Sequence, residues 1–297
     1  MRQRKPGKAH LITTAIEHHA VLHTARQLHD EGYQVTILPV DNQGLVDPVD
    51  VRKALRPETA LISVMLVNNE VGSIQPLAEI GKIAHENGIL FHTDAVQGLG
   101  LLDVDVQALN VDLLSLSAHK IYGPKGVGAL FVRKGVPLSP LLFGGSQENA
   151  VRPGTENVPG IAGLGAAVRL TDQHKTLQRE RLTQLRSRLI SGLQERIPGL
   201  IVNGPMNAAA HVLSLSFPGA DGEMMLIRLN GAGFAVSMGS ACTSKDIEPS
   251  HVLTAMHLPL DQIAGTLRIS LGYPTTANEI ETLLETLPEI WRKAKID

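Results

Sequence analysis

From Leu55 onward, short aliphatic runs alternate with helical patterns at the interval of a βα unit, which restricts the chain to few architectures. Residues 60–67 predict a buried strand, 77–87 a helix closed by Gly88, and 89–92 the next strand; 113–117 and 128–132 continue the series. The expected fold is α/β, a mainly parallel sheet with helices on both faces. Three of the strands run into polar clusters, Asn68-Asn69-Glu70, Thr93-Asp94 and His119-Lys120. Ligands of open α/β sheets sit beyond the carboxyl ends of the strands, so three polar strand ends in series point at one site.

The pattern changes after about Asp172. Leu182, Leu185, Leu189 and Leu193 recur at helical spacing among Arg and Gln, predicting a long amphipathic helix that links two lobes. Beyond Pro198-Gly199 come a strand at 212–217, a helix at 222–229, a Gly/Ser-rich stretch at 237–244, a strand at 267–270 and a helix from Ala277 interrupted by Pro288. The expected domains are a large one over 1–172 and a smaller C-terminal α/β one over 173–297. With 43% hydrophobic residues in 297, the chain has enough apolar surface for such cores, which excludes disorder. Lys and Arg total 27 against 29 Asp and Glu, so no basic excess exists to bind nucleic acid or an anionic membrane. No apolar run reaches the roughly 20 residues that span a bilayer, and the first residues lack a signal peptide's apolar stretch, so a cytoplasmic protein is expected. The one cysteine, Cys242, excludes an intrachain disulfide and multi-cysteine metal sites.

Lys120 follows a strand of apolar and small residues, where partial desolvation would favour its neutral, nucleophilic amine. Alone it reads rather as a surface lysine in the Gly123-Pro124 turn. Asp94, alone, reads as a helix N-cap. A strand-end Asp followed one βα unit later by a strand-end Lys is, however, the pairing that pyridoxal 5'-phosphate (PLP) needs: a carboxylate for the pyridine nitrogen and an amine for the aldehyde. His18, His19 and His23 cluster, but no carboxylate or cysteine sits at matching spacing for a metal site. Cys242 lies among Gly, Ser and Thr, which suggests an accessible thiol on a mobile loop rather than a core residue. Arg268 interrupts an apolar strand; it either points to solvent from an edge or turns inward to grip a carboxylate or phosphate.

The segments 16–22 (Ile-Glu-His-His-Ala-Val-Leu), 67–72 (Val-Asn-Asn-Glu-Val-Gly), 92–97 (His-Thr-Asp-Ala-Val-Gln), 115–126 around His119-Lys120, 152–155 (Arg-Pro-Gly-Thr) and 239–244 (Gly-Ser-Ala-Cys-Thr-Ser) resemble those of the cysteine desulfurases of the NifS/IscS type. These are class V enzymes of the PLP-dependent transferase fold type I, and the resemblance runs from about His10 to Leu287. It implies that Lys120 carries PLP, Asp94 pairs with its ring nitrogen, His18 stacks on the ring and moves protons, and Gln97 bonds the ring hydroxyl. Ser117 and His119 would bind the phosphate, with Thr155 reaching that of the partner subunit. Asn69 and Arg268 would hold the substrate carboxylate. Cys242 would take the sulfur of L-cysteine as a persulfide, releasing alanine, and pass it to an acceptor such as an iron–sulfur scaffold protein. A homodimer is implied.

The chain resembles the family without its N-terminal segment, which carries a further phosphate-binding turn, and it stops short of the tail through which some members grip the scaffold. Met238 and Tyr273 stand where relatives often have Ser and Arg. Weak cofactor binding is the corresponding expectation. Selenocysteine lyase shares the architecture and is the alternative activity; a catalytically silent relative acting as a binding protein is the alternative of another class.

Overall fold

The structure, a computed structural model, describes residues 9–238 and 249–296. It opens with β1 (His10–Thr14), α1 (His19–Asp30), β2 (Gln34–Leu38) and α2 (Pro48–Lys53), ahead of the series predicted from Leu55. There follow β3 (Thr59–Ser63), α3 (Leu77–Glu86), β4 (Leu90–Asp94), β5 (Leu113–Ser117), β6 (Gly128–Val132) and the long α4 (Val158–Arg196). The remainder is β7 (Ile201–Asn203), β8 (Val212–Ser216), α5 (Gly222–Gly231), α6 (His251–Ala255), α7 (Leu260–Ala264), β9 (Thr266–Ser270) and α8 (Ala277–Lys293).

The first sheet has the order β2-β1-β3-β4-β5-β6 and is parallel except at its β5–β6 edge. Its side chains alternate between faces, as the pleat requires. Ile12, Ile62, Phe91 and Leu114 join Val51 of α2 and Ile80 and Ile83 of α3 in one core. On the opposite face Leu11 and Leu61 meet Ala25 and Leu28 of α1. Sequence patterning missed β1 because His10, Thr13 and Thr14 break its apolar run, yet all three are buried. Burying His10 is tolerable because its ring bonds across the sheet, Nδ1 to Thr59 Oγ1 at 2.9 Å and Nε2 to Thr36 Oγ1 at 2.8 Å.

The strand expected over 60–67 is shorter, ending at Ser63. Its neighbour β1 ends at Thr14, so one side of the ladder is lost. Val64 and Leu66 still donate to the carbonyls of His92 and Asp94, and the Glu17 carboxylate accepts the Met65 N–H on the side β1 has left.

The second sheet, β7-β8-β9, is antiparallel and packs on Leu189 and Leu193 of α4 and Leu284 and Leu287 of α8. Gly192 allows this approach, since a Cβ there would lie 2.8 Å from Leu284 Cδ1. Contrary to expectation, α8 runs through Pro288 without interruption. Proline cannot donate to the carbonyl four residues back, that of Leu284. Arg196 Nη1 donates to it instead at 2.8 Å, so the orphaned acceptor is satisfied from α4.

Leu164 and Ala167, near the start of α4, pack on Ala118 and Ile121 after β5, whereas its later leucines belong to the second core. The 172/173 division falls within this continuous helix, and we propose it as the point where α4 passes from one domain to the other. No helix of the described residues is long and apolar enough to cross a membrane.

Candidate active site

The polar ends of the first sheet open into a cleft of about 1660 Å³. His18, Asn69, Asp94, Gln97, Ser117, His119, Lys120 and Arg268 all line it. Thr155 is exposed ahead of α4 and does not line it, and Cys242 lies outside the described residues.

Asp94 closes β4, and its Oδ1 accepts the Val96 N–H at 2.9 Å, the local turn that a capping aspartate would make. Its second oxygen has no protein partner among the described residues and is available to a cation in the cleft. Lys120 sits on a short 3₁₀ turn, 118–121, directly after β5. Ala118 and Ile121 are 0% and 3% exposed and anchor that turn, so the backbone is fixed while the side chain projects into the cleft. One expectation is corrected here: Lys120 is exposed, not desolvated, because the apolar strand ends at Ser117 and the turn lifts the lysine into open space. No protein group of the described residues pairs with its amine.

Ser117 Oγ and His119 Nδ1 lie 2.8 Å apart at the same strand end, a hydroxyl and an imidazole side by side. His18 caps α1, its Nδ1 accepting the Ala20 N–H at 3.1 Å, and its ring stands at the cleft wall. The neighbouring asparagines divide their work. Asn68 is buried and structural, donating to the Ile16 carbonyl and accepting from the Glu70 and Val71 N–H groups. Asn69 lines the cleft.

Arg268 turns inward. It reaches from β9 across to the first sheet, donating from Nη1 to the Asn69 carbonyl at 3.2 Å, and its Nε is shut off from solvent without a partner. No carboxylate of the described residues lies in ion-pair contact with it. A half-buried guanidinium in that condition suits an anionic ligand. Glu70, near it, keeps its proton to higher pH than an ordinary carboxyl: burial raises its pKa to about 7, against the opposing effects of the Ser250 hydroxyl and Arg268.

Two residues of the site went unnoticed in the sequence. His211 precedes β8 and bonds Gln97, 114 positions away, a relation no spacing reveals. Glu17 is wholly buried beneath the cleft, with Oε1 accepting from Thr14 Oγ1 and Met65 N and Oε2 unpartnered. Burial raises its pKa to about 8; the two hydrogen bonds oppose that shift and the Asp94 charge adds to it. The folded state therefore keeps a proton that the unfolded chain loses near 4.5, so stability is full at acid pH and falls as pH rises towards 8. The expected slope is about 1.4 kcal/mol per pH unit in that window. Glu17→Gln, which cannot ionise, should remove this contribution, checked by urea unfolding of both proteins across the window. Parallel curves would show that Glu17 is ionised in the fold.

Among the described residues, His19 stacks on His23 at 4.8 Å between ring centroids and bonds His251, but no group of three metal-ligating side chains is placed to hold a metal.

The chain as a whole is similar to known proteins. The chain is 51% identical over 293 residues to the cysteine desulfurase IscS of Methanosarcina thermophila, covering 98% of this chain and 72% of that protein. It is 48% identical over 295 residues to the cysteine desulfurase IscS of Clostridium botulinum, covering 98% and 74%. The fold matches that of a NifS-like protein with a TM-score of 0.91 at 37% identity, over 98% of this chain and 77% of the other. A NifS-like protein from Rickettsia africae matches with a TM-score of 0.87 at 30% identity, over 96% and 76%. The family model for class-V aminotransferases matches residues 1–283, and with that span, this cleft and these relatives the chain belongs to the class-V aminotransferase family.

Proposed function

We propose that the chain is a PLP-dependent cysteine desulfurase, converting L-cysteine to L-alanine and retaining the sulfur as a persulfide on Cys242. The observation that carries this reading is the meeting, in one cleft, of a strand-end carboxylate with one oxygen free, a lysine on a fixed turn and an arginine from the other domain, the last two without an ion-pair partner among the described residues.

The donor set fits the cofactor. Asp94 would hold the protonated ring nitrogen through its second oxygen, Lys120 would supply the amine for the aldehyde carbon, and Ser117 with His119 would supply donors to the phosphate. Once bound, PLP supplies an electron sink for the substrate's α-carbon. His18 would cover the ring and move a proton through Nε2, since Nδ1 is engaged by the helix. Asn69 and Arg268 orient the substrate by its carboxylate, and being on different domains they make that grip depend on the cleft being assembled. The net transfer breaks the carbon–sulfur bond of cysteine. The Cys242 thiolate bonds to the departing sulfur, the carbon fragment keeps the electron pair and gains a proton, and alanine leaves.

The sulfur then passes to an acceptor protein, of which an iron–sulfur scaffold is the expected kind, in a cytoplasmic setting. Leu141, Leu142 and Phe143 are 71%, 60% and 87% exposed, an apolar patch of the type that a subunit interface covers, and it supports a homodimer in which Thr155 serves the neighbouring site.

Incubation of the PLP-loaded protein with L-cysteine or L-selenocysteine, with alanine quantified, tests the activity. Alanine from L-cysteine, with one persulfide sulfur retained per chain before a reductant is added, is expected. Alanine from L-selenocysteine alone would establish a selenocysteine lyase instead, and alanine from neither a silent relative.

A further inference from the structure

We propose that His211 is a positioning residue for Gln97, holding its side-chain amide so that the nitrogen, and not the oxygen, faces the cofactor site. This rests on the PLP reading of the cleft.

His211 immediately precedes β8 in the small domain, and its carbonyl accepts the Leu271 N–H. Its ring reaches the large domain, where Nε2 lies 3.0 Å from Gln97 Oε1. Nδ1 is closed to solvent and has no hydrogen-bond partner. A neutral imidazole offers one donor and one acceptor, so two arrangements exist. If Nδ1 carried the proton, a buried N–H would go unmet. If Nε2 carries it, the bond to Gln97 Oε1 is made and only a lone pair is left over. An unmet acceptor is the commoner and cheaper defect in folded proteins. A second ring proton is disfavoured by burial, and next by the positive charge of Lys120, which together lower the His211 pKa to about 4.

With Oε1 taken by His211, the two N–H groups of Gln97 are left for the cleft. They suit a ligand oxygen that carries negative charge, which describes the ring hydroxyl oxygen of the cofactor in its ionised form. Glutamine amides turn over at little cost when unconstrained, so without His211 the acceptor oxygen would face that atom about as readily as the donor. The small domain thus sets the polarity of a contact made by the large one.

The unliganded protein supplies the first test. The ¹⁵N shifts of the His211 ring should show a neutral imidazole protonated at Nε2 down to about pH 5, and an Nδ1-protonated or charged ring at pH 7 would overturn the proposal whatever the ligand. For the second, PLP is titrated by absorbance into the wild type, His211→Leu and His211→Gln. Leu removes the donor; Gln places an N–H close to the position of Nε2. His211→Leu should bind PLP roughly tenfold more weakly, the loss of about one hydrogen bond. The pH at which its visible band changes should move upward, because a donor to the ring oxygen is gone. His211→Gln should restore both. Equal damage in the two variants, or none in His211→Leu, would refute the positioning role. Failure of the wild type to develop a visible band would reject the PLP reading and leave the nitrogen shifts to decide the orientation of Gln97.

Discussion

Replacing Lys120 with alanine should abolish the visible absorption of PLP-loaded protein and its turnover of L-cysteine, whereas Lys125→Ala should leave both. The two lysines are five positions apart in one glycine-rich stretch, yet the fold treats them differently. Lys120 lies on the turn nailed down by Ala118 and Ile121 against Leu164 and Ala167, and it lines the cleft; Lys125 is exposed and does not. Tyr122 closes that turn in the left-handed region, at φ 65°, and its hydroxyl accepts the N–H of Tyr273, which follows β9, so the loop leaves the cleft at a fixed point. Loss of a group that forms a covalent bond in the reaction removes catalysis on the scale of roughly 10⁴–10⁶-fold. Borohydride reduction of the loaded protein followed by peptide mapping should place the label on Lys120. Label on Lys125 would sink the assignment, because no movement short of unwinding the 118–121 turn exchanges the two.

The legibility of this site in the sequence followed local grammar. Asp94 and Lys120 stand out because each terminates an apolar run, and strand ends in a parallel sheet share one edge. Relations between distant segments were a different matter. The inward course of Arg268 was an open question until β9 was seen to lie against the Ser237 backbone, with its guanidinium aimed at Asn69. His211 and Glu17 had no signature, since their roles come from partners that the fold brings together: Gln97 for one, Thr14 and Met65 for the other. The central strand β1 was hidden by the same effect. Its histidine looks unsuited to a core until cross-strand hydrogen bonds to Thr59 and Thr36 satisfy both ring nitrogens, and Thr14 is met locally by Glu17. Pro288 misled for a related reason, because the acceptor it orphans is met by Arg196, 88 residues from that carbonyl.

Cys242→Ser should separate the two halves of the chemistry. Every residue assigned to hold PLP or the substrate carboxylate lies outside the segment 239–248, and those that line the cleft are placed by β1, β3, β4, β5 and β9, or by turns that follow these strands. Cofactor affinity and the spectral response to L-cysteine should therefore match the wild type within about twofold, well below the tenfold that one lost hydrogen bond would cost. Alanine formation should fall on the scale seen when a catalytic nucleophile is removed, roughly 10⁴-fold or more. A serine hydroxyl is un-ionised at neutral pH and does not form the bond to sulfur that a thiolate forms, so the carbon–sulfur bond has no acceptor for its sulfur. Mass spectrometry of the tryptic peptide containing residue 242 supplies the matching observation: wild type gains one sulfur atom after exposure to L-cysteine without reductant, and the variant gains none. Alanine release by Cys242→Ser at a rate near that of the wild type would show that sulfur leaves without passing through the cysteine. That outcome would remove Cys242 from the mechanism while leaving Lys120, Asp94 and Arg268 in place, since those residues act before the sulfur departs.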